Sequence, residues 1–82
     1  MVKNLSNFGR TATGEKFTYL SLSIPGSQLI DISILGNYKE IQTLDLSYNK
    51  LKDLSVLSEL KYLINLNVSN NQLDKLFDFL TP

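Results

Sequence analysis

The stretch Gly9-Arg10-Thr11-Ala12-Thr13-Gly14-Glu15-Lys16 nearly matches the phosphate-cradling loop G-x-x-x-x-G-K-[ST]. In that loop the lysine directly follows the second glycine so that it reaches the terminal phosphates, and a hydroxyl beside it holds the metal. Here Glu15 puts a carboxylate where a phosphate would sit, Phe17 stands in place of the hydroxyl, and no strand pattern precedes Gly9. The stretch reads as a flexible connector. Histidine and cysteine are both absent, which removes the commonest general base, the thiolate nucleophile and the commonest metal ligands. The carboxylates are Glu15, Asp31, Glu40, Asp45, Asp53, Glu59, Asp74 and Asp78. Asp31, Asp53 and Asp74 recur at similar places in successive segments, and no pair is set to flank a substrate. Neither catalysis nor a cofactor is expected of this chain. Asn49 and Asn71 lie 22 residues apart, each just after an L-x-L run. At a bend a buried amide can satisfy free backbone groups, so both are expected to be structural.

The elements that would carry these residues are short and repeated. Ile41 to Leu63 reads I-Q-T-L-D-L-S-Y-N-K-L-K-D-L-S-V-L-S-E-L-K-Y-L, and the pattern restarts with Leu63, Leu66, Val68, Asn71, Leu73 and Leu76. Each unit should give one strand, at about Thr18 to Leu22, Thr43 to Leu46 and Asn65 to Val68, pairing in parallel. The returns 31–36, 53–60 and 74–80 space apolar residues three apart, which suits short helical turns. Either Asp53 or Ser55 is placed to start the second of them. In the first unit Leu20 and Leu22 align with Leu44 and Leu46, yet Leu22 to Leu29 spans seven residues where Leu46 to Leu51 spans five. That alignment implies a two-residue insertion around Pro25-Gly26, a turn-forming pair. Residues 1–16 form an N-terminal capping segment, and the units run 17–40, 41–62 and 63–82, the last incomplete. Val2, Leu5 and Phe8 recur at helical spacing, predicting a capping helix that Gly9 ends.

Composition narrows the partners. Basic and acidic residues balance at eight each, so the electrostatic footprint of a nucleic-acid or anionic-membrane binder is missing. No apolar run nears the roughly 18 residues of a membrane span, and Met1 to Arg10 lacks a signal-peptide core. A cytoplasmic protein is expected. The sequons at Asn4 and Asn67 then read as chance occurrences. A chain of 82 residues buries only about 60% of its unfolded surface, so its stability must come from stacking units on one another.

The spacing L-x-x-L-x-L-x-x-N-x-L at a 22-residue period resembles the leucine-rich repeat, in the class found in phosphatase regulators. The expected fold is an α/β leucine-rich repeat solenoid: a short right-handed horseshoe fragment of about three parallel strands with convex helical turns. Strand alternation puts Tyr19, Thr43 and Asn65 in one concave column, Ser21, Asp45 and Asn67 in a second, and Ser23, Ser47 and Ser69 in a third. These columns form the candidate partner-binding face, with Tyr19 and Tyr48 as amphipathic anchors. A second candidate is the C-terminal edge around Phe77, Phe79 and Leu80, where no cap pattern follows and an uncovered parallel edge invites association. On this reading the isolated chain is not a stable monomer.

More closely, L-S-L-S-I-P-G-S-Q-L-I-D-I-S-I-L from Leu20, L-D-L-S-Y-N-K-L-K-D-L-S from Leu44 and L-F-D-F-L-T-P from Leu76 resemble the start of the repeat region in the leucine-rich repeat and guanylate kinase domain-containing proteins. A radial-spoke leucine-rich repeat protein of cilia is similar in layout. The resemblance implies a non-catalytic interaction module docked in a ciliary or axonemal microtubule assembly, with axonemal or microtubule-associated proteins as partners. It also implies the alternative of a non-catalytic N-terminal part of a guanylate-kinase-like protein, and the repeat class alone implies phosphatase regulation. No kinase residue carries over.

Overall fold

A computed structural model describes residues 2–72. The expected features at Leu73, Asp74, Leu76, Phe77, Phe79 and Leu80 lie outside the described residues. Four strands form one sheet in chain order: β1 (Leu5–Arg10), β2 (Phe17–Ser23), β3 (Thr43–Asp45) and β4 (Asn65–Asn67). A 3₁₀ turn at Val2–Asn4 precedes β1. β2, β3 and β4 are parallel, while β1 runs antiparallel to β2.

The parallel register follows from one repeating unit. Leu22 pairs with Leu44 and Leu44 with Leu66, a constant step of 22 residues. Beyond the strands the same step recurs, with Ile24 N–H donating to Asp45 O and Leu46 N–H to Asn67 O, both at 2.8 Å. The first unit therefore carries no insertion. Ile24, rather than Leu22, is the counterpart of Leu46, and both are buried. Leu20 falls before the parallel ladder and is only half-buried. The L-x-L pair at Leu20 and Leu22 misleads because Ile24 is separated from it by a single serine and continues the same alternation. Burial picks the second and third members of that series.

The core stacks Leu22, Ile32 and Leu35 on Ile41, Leu44, Leu46, Leu51, Leu54 and Leu57, with Val68 beyond. The convex returns are 3₁₀ turns at Ser33–Asn37 and Ser55–Glu59, not α-helices. Each lasts only five residues, too short to complete the hydrogen-bonding of an α-helix, and buries one leucine, Leu35 or Leu57. Both are started by a carboxylate two residues upstream rather than by a side-chain cap: Ser33 N–H donates to Asp31 Oδ1 and Ser55 N–H to Asp53 Oδ1, each at 2.8 Å. This contact holds the Asp53 carboxyl below its ordinary value of 3.8, first through the Ser55 backbone N–H and then through the Ser55 side chain. A lowered carboxyl contributes stability that is fully present above its ordinary value and lost as pH falls through the lowered one. The stability difference between the wild-type chain and Asp53→Asn, read from urea midpoints, should therefore shrink as pH drops below 3.8. A difference that stays constant down to pH ~2.5 would remove this linkage.

The N-terminal segment is a strand, not the expected capping helix. Two isolated helical turns gain little in water, whereas the edge of β2 offers a row of open backbone groups. Leu5 pairs with Leu22, Phe8 with Tyr19 and Arg10 with Phe17. Leu5 packs on the core, and Phe8 stands on the opposite face, 63% exposed. Gly9 lies in the strand opposite Thr18 instead of ending a helix, and a Cβ there would come within 3.3 Å of Leu20 Cδ1. The loop 11–16 is ordered by Thr11, whose N–H donates to Lys16 O and whose O accepts from Gly14 N–H, both at 2.8 Å. These amides are spent within the turn, leaving them unable to cradle a phosphate.

Candidate protein interface

The asparagines sit where each unit leaves its strand. Asn49 Oδ1 accepts from Ser27 N–H and Leu29 N–H at 2.9 Å each. Its Nδ2 donates to Ile24 O and Leu46 O at 2.9 Å and shares a longer contact with Ser47 O at 3.1 Å. Asn71 repeats the scheme, accepting from Leu51 N–H and donating to Leu46 O, Val68 O and Ser69 O. One amide thus ties two adjacent units together. The residue before each asparagine is left-handed, Tyr48 at φ 57° and Asn70 at 58°, and Gly26 at 60° occupies the same place in the first unit. That third member shows Ser27 standing where the later units have asparagine.

The exposed concave face differs from the expected columns by two residues in its first member. Ser21 aligns with Thr43 and Asn65, and Ser23 with Asp45 and Asn67, so Pro25 falls in line with Ser47 and Ser69. Tyr19 lies outside the ladder, opposite Phe8. Ser21 and Ser47 are buried, which takes them out of any contact surface. Ser21 Oγ accepts from Asn7 Nδ2, and Ser47 donates from its N–H and its Oγ to Asp45 Oδ1 at 3.0 and 2.7 Å. Ser69 treats Asn67 Oδ1 the same way. Thr43, Asn65, Asn67, Ser69 and Ser23 remain exposed, with Asp45 half-buried as the one charge.

Past the end of the parallel ladder the surface becomes aromatic. The ring of Phe8 meets Tyr19 edge-on at 5.1 Å between centroids and stacks on Phe17 at 6.3 Å. The Arg10 guanidinium lies 4.8 Å from the Phe17 centroid and donates to Gly14 O. Phe8, Phe17 and Arg10 were legible only on a strand reading of residues 5–10, since cross-strand pairing is what gathers them. Among the described residues no three carboxylates converge as a metal site, and no helix is long and apolar enough to cross a membrane.

Parallel strands at a 22-residue step, bound by the buried Asn49 and the half-buried Asn71, define a leucine-rich repeat array. No family model matches the chain. It is 46% identical over 50 residues to the human leucine-rich repeat and guanylate kinase domain-containing protein, a match covering 61% of this chain and 6% of that protein. Among solved structures it is similar to an internalin from Listeria monocytogenes, with a TM-score of 0.67 and 22% identity over 79% of this chain and 21% of the other. The chain spans a small fraction of the length of either.

Proposed function

We propose that this chain is a non-catalytic protein-interaction module that docks in a ciliary or axonemal microtubule assembly. The identity to the human guanylate kinase domain-containing repeat protein supports the interaction-module part of this reading, as does an exposed concave face with only Asp45 charged, while the axonemal part rests on the family resemblance of the sequence. Contact is proposed through Thr43, Asn65, Asn67, Ser69 and Ser23, and through the C-terminal edge at Phe77, Phe79 and Leu80. A tagged chain should co-sediment with axonemal proteins extracted from ciliated cells. Asn65→Arg with Asn67→Arg, placing two long cations on that face, should reduce capture at least tenfold. Enrichment no greater than that of an unrelated repeat array would sink the axonemal reading.

A second reading makes these repeats the non-catalytic start of a guanylate-kinase-like protein, since the matched relative carries that domain by name. Sequencing the gene past Pro82 decides it: a downstream G-x-x-x-x-G-K-[ST] loop supports the reading and an immediate stop codon ends it. Phosphatase regulation rests on the repeat class alone and predicts capture of a phosphatase catalytic subunit.

A further inference from the structure

β2 is longer than its parallel neighbour. It has seven residues where β3 has three, and the parallel pairing begins only at Ser21. The first part of β2 projects past β3 with β1 on one side. On the other side lies an open groove of about 500 Å³, walled by Lys16, Phe17, Thr18 and Tyr19 and by the 36–40 segment with Lys39 and Glu40.

Hydrogen-bond alternation shows which backbone groups face it. Leu20 O accepts from Gln42 N–H and Ile24 N–H donates to Asp45 O, so even-numbered residues of β2 point toward the second unit. The register with β1 skips the Asn7 and Leu20 position, where Asn7 is left-handed, but keeps the same phase on both sides of it, and Thr18 therefore shares that direction. Its N–H and C=O open into the groove, as does the N–H of Leu20, and none has a backbone partner there among the described residues. Phe17 and Tyr19 flank this edge on the concave side, 54% and 42% exposed.

From this geometry we infer that the edge of β2 at Thr18 is a strand-addition site for an extended, acidic segment of a partner protein. Main-chain pairing at such an edge supplies attachment, and the alternating side chains supply selection. Charge chooses the class. Lys16 and Lys39 are both exposed at the groove, and the one acidic wall residue, Glu40, has its Oε1 turned inward without a partner. Lys39 Nζ is 3.9 Å from Glu59 Oε1 with both side chains solvated, a contact a ligand carboxylate readily replaces. Phe17 and Tyr19 supply apolar contact for alternate residues of the segment. The inference rests on the interaction-module reading but uses a surface apart from the Thr43 to Asn67 columns.

The test is an amide NMR titration of the full chain with an acetylated, amidated ten-residue peptide alternating valine with glutamate. The expected result is saturable shifts centred on the Thr18 and Leu20 amides, with hydrogen exchange there slowed at least tenfold. Thr18→Pro removes a groove-facing donor but no bond to β1, and should weaken binding at least tenfold. Lys16→Glu with Lys39→Gln, both on exposed residues, should do the same at low salt. A peptide alternating valine with lysine should not bind. Equal binding by the lysine peptide, or by both variants, would overturn the proposal. So would concentration-dependent shifts at these amides without peptide, which would make a second copy of the chain the occupant. Loss of peptide binding alongside intact axonemal capture would discard this site and leave the interaction-module reading standing.

Discussion

Asn49→Ala should remove a large share of the chain's stability while leaving it folded in water. The substitution strips the partners from Ser27 N–H, Leu29 N–H and Ile24 O together and leaves Leu46 O to Asn71 alone, at a site only 6% exposed. Each buried group left unpaired costs roughly 1–3 kcal/mol. Even if water enters and recovers part of this, a loss of about 3–5 kcal/mol is a large share of the on-the-order-of 8 kcal/mol available to a chain this size. Urea unfolding followed by circular dichroism reads the change directly. Asn49→Asp adds a sharper check, because it keeps the acceptor facing Ser27 and Leu29 but turns the donor into an oxygen facing three carbonyls. The buried aspartate should be raised in pKa, so its variant should gain stability as pH falls through that raised value, opposite to the trend from Asp53. An unfolding free energy within ~0.5 kcal/mol of wild type for Asn49→Ala would mean that the asparagines do not hold the units together.

Ile24→Ala and Leu20→Ala separate the two ways of aligning the first unit. With the observed step, Ile24 is in the core at 7% exposure and its truncation should cost roughly 2–4 kcal/mol. Leu20, half-buried and covered on one side by Gly9 of β1, should lose roughly 1 kcal/mol. If Leu20→Ala proved the costlier of the two, β2 would be shifted by two residues against β3 and the concave columns would realign with it.

The concave face shows how register propagates to the exposed surface. A shift of two residues keeps every side chain on its own side of the sheet, so the polar character of the concave face was correctly legible from alternation. Which residues stand in one row was not. Tyr19 leaves the rows for an aromatic group with Phe8 and Phe17, and Ser21 and Ser47 turn into internal hydrogen-bond partners. A serine two residues after an aspartate or asparagine has a local alternative to solvent, and in both later units it takes it.

The sequence alone determined the period of 22, the strand positions of the second and third units, the burial of the second unit's leucines and the role of Asn49, because each depends on contacts repeated at fixed spacing. Only the tertiary structure decided the fate of residues 2–23. Val2, Leu5 and Phe8 carry a helical spacing too short to stabilise a helix by itself, and the open edge of β2 recruits the segment as a strand instead. Likewise Leu20, Leu22 and Ile24 alternate equally well, and only the hydrogen bonds to β3 choose which two enter the core. Where the repeat is regular, local pattern and global packing demand the same residues; at its first unit they do not, and the unpaired backbone edge prevails.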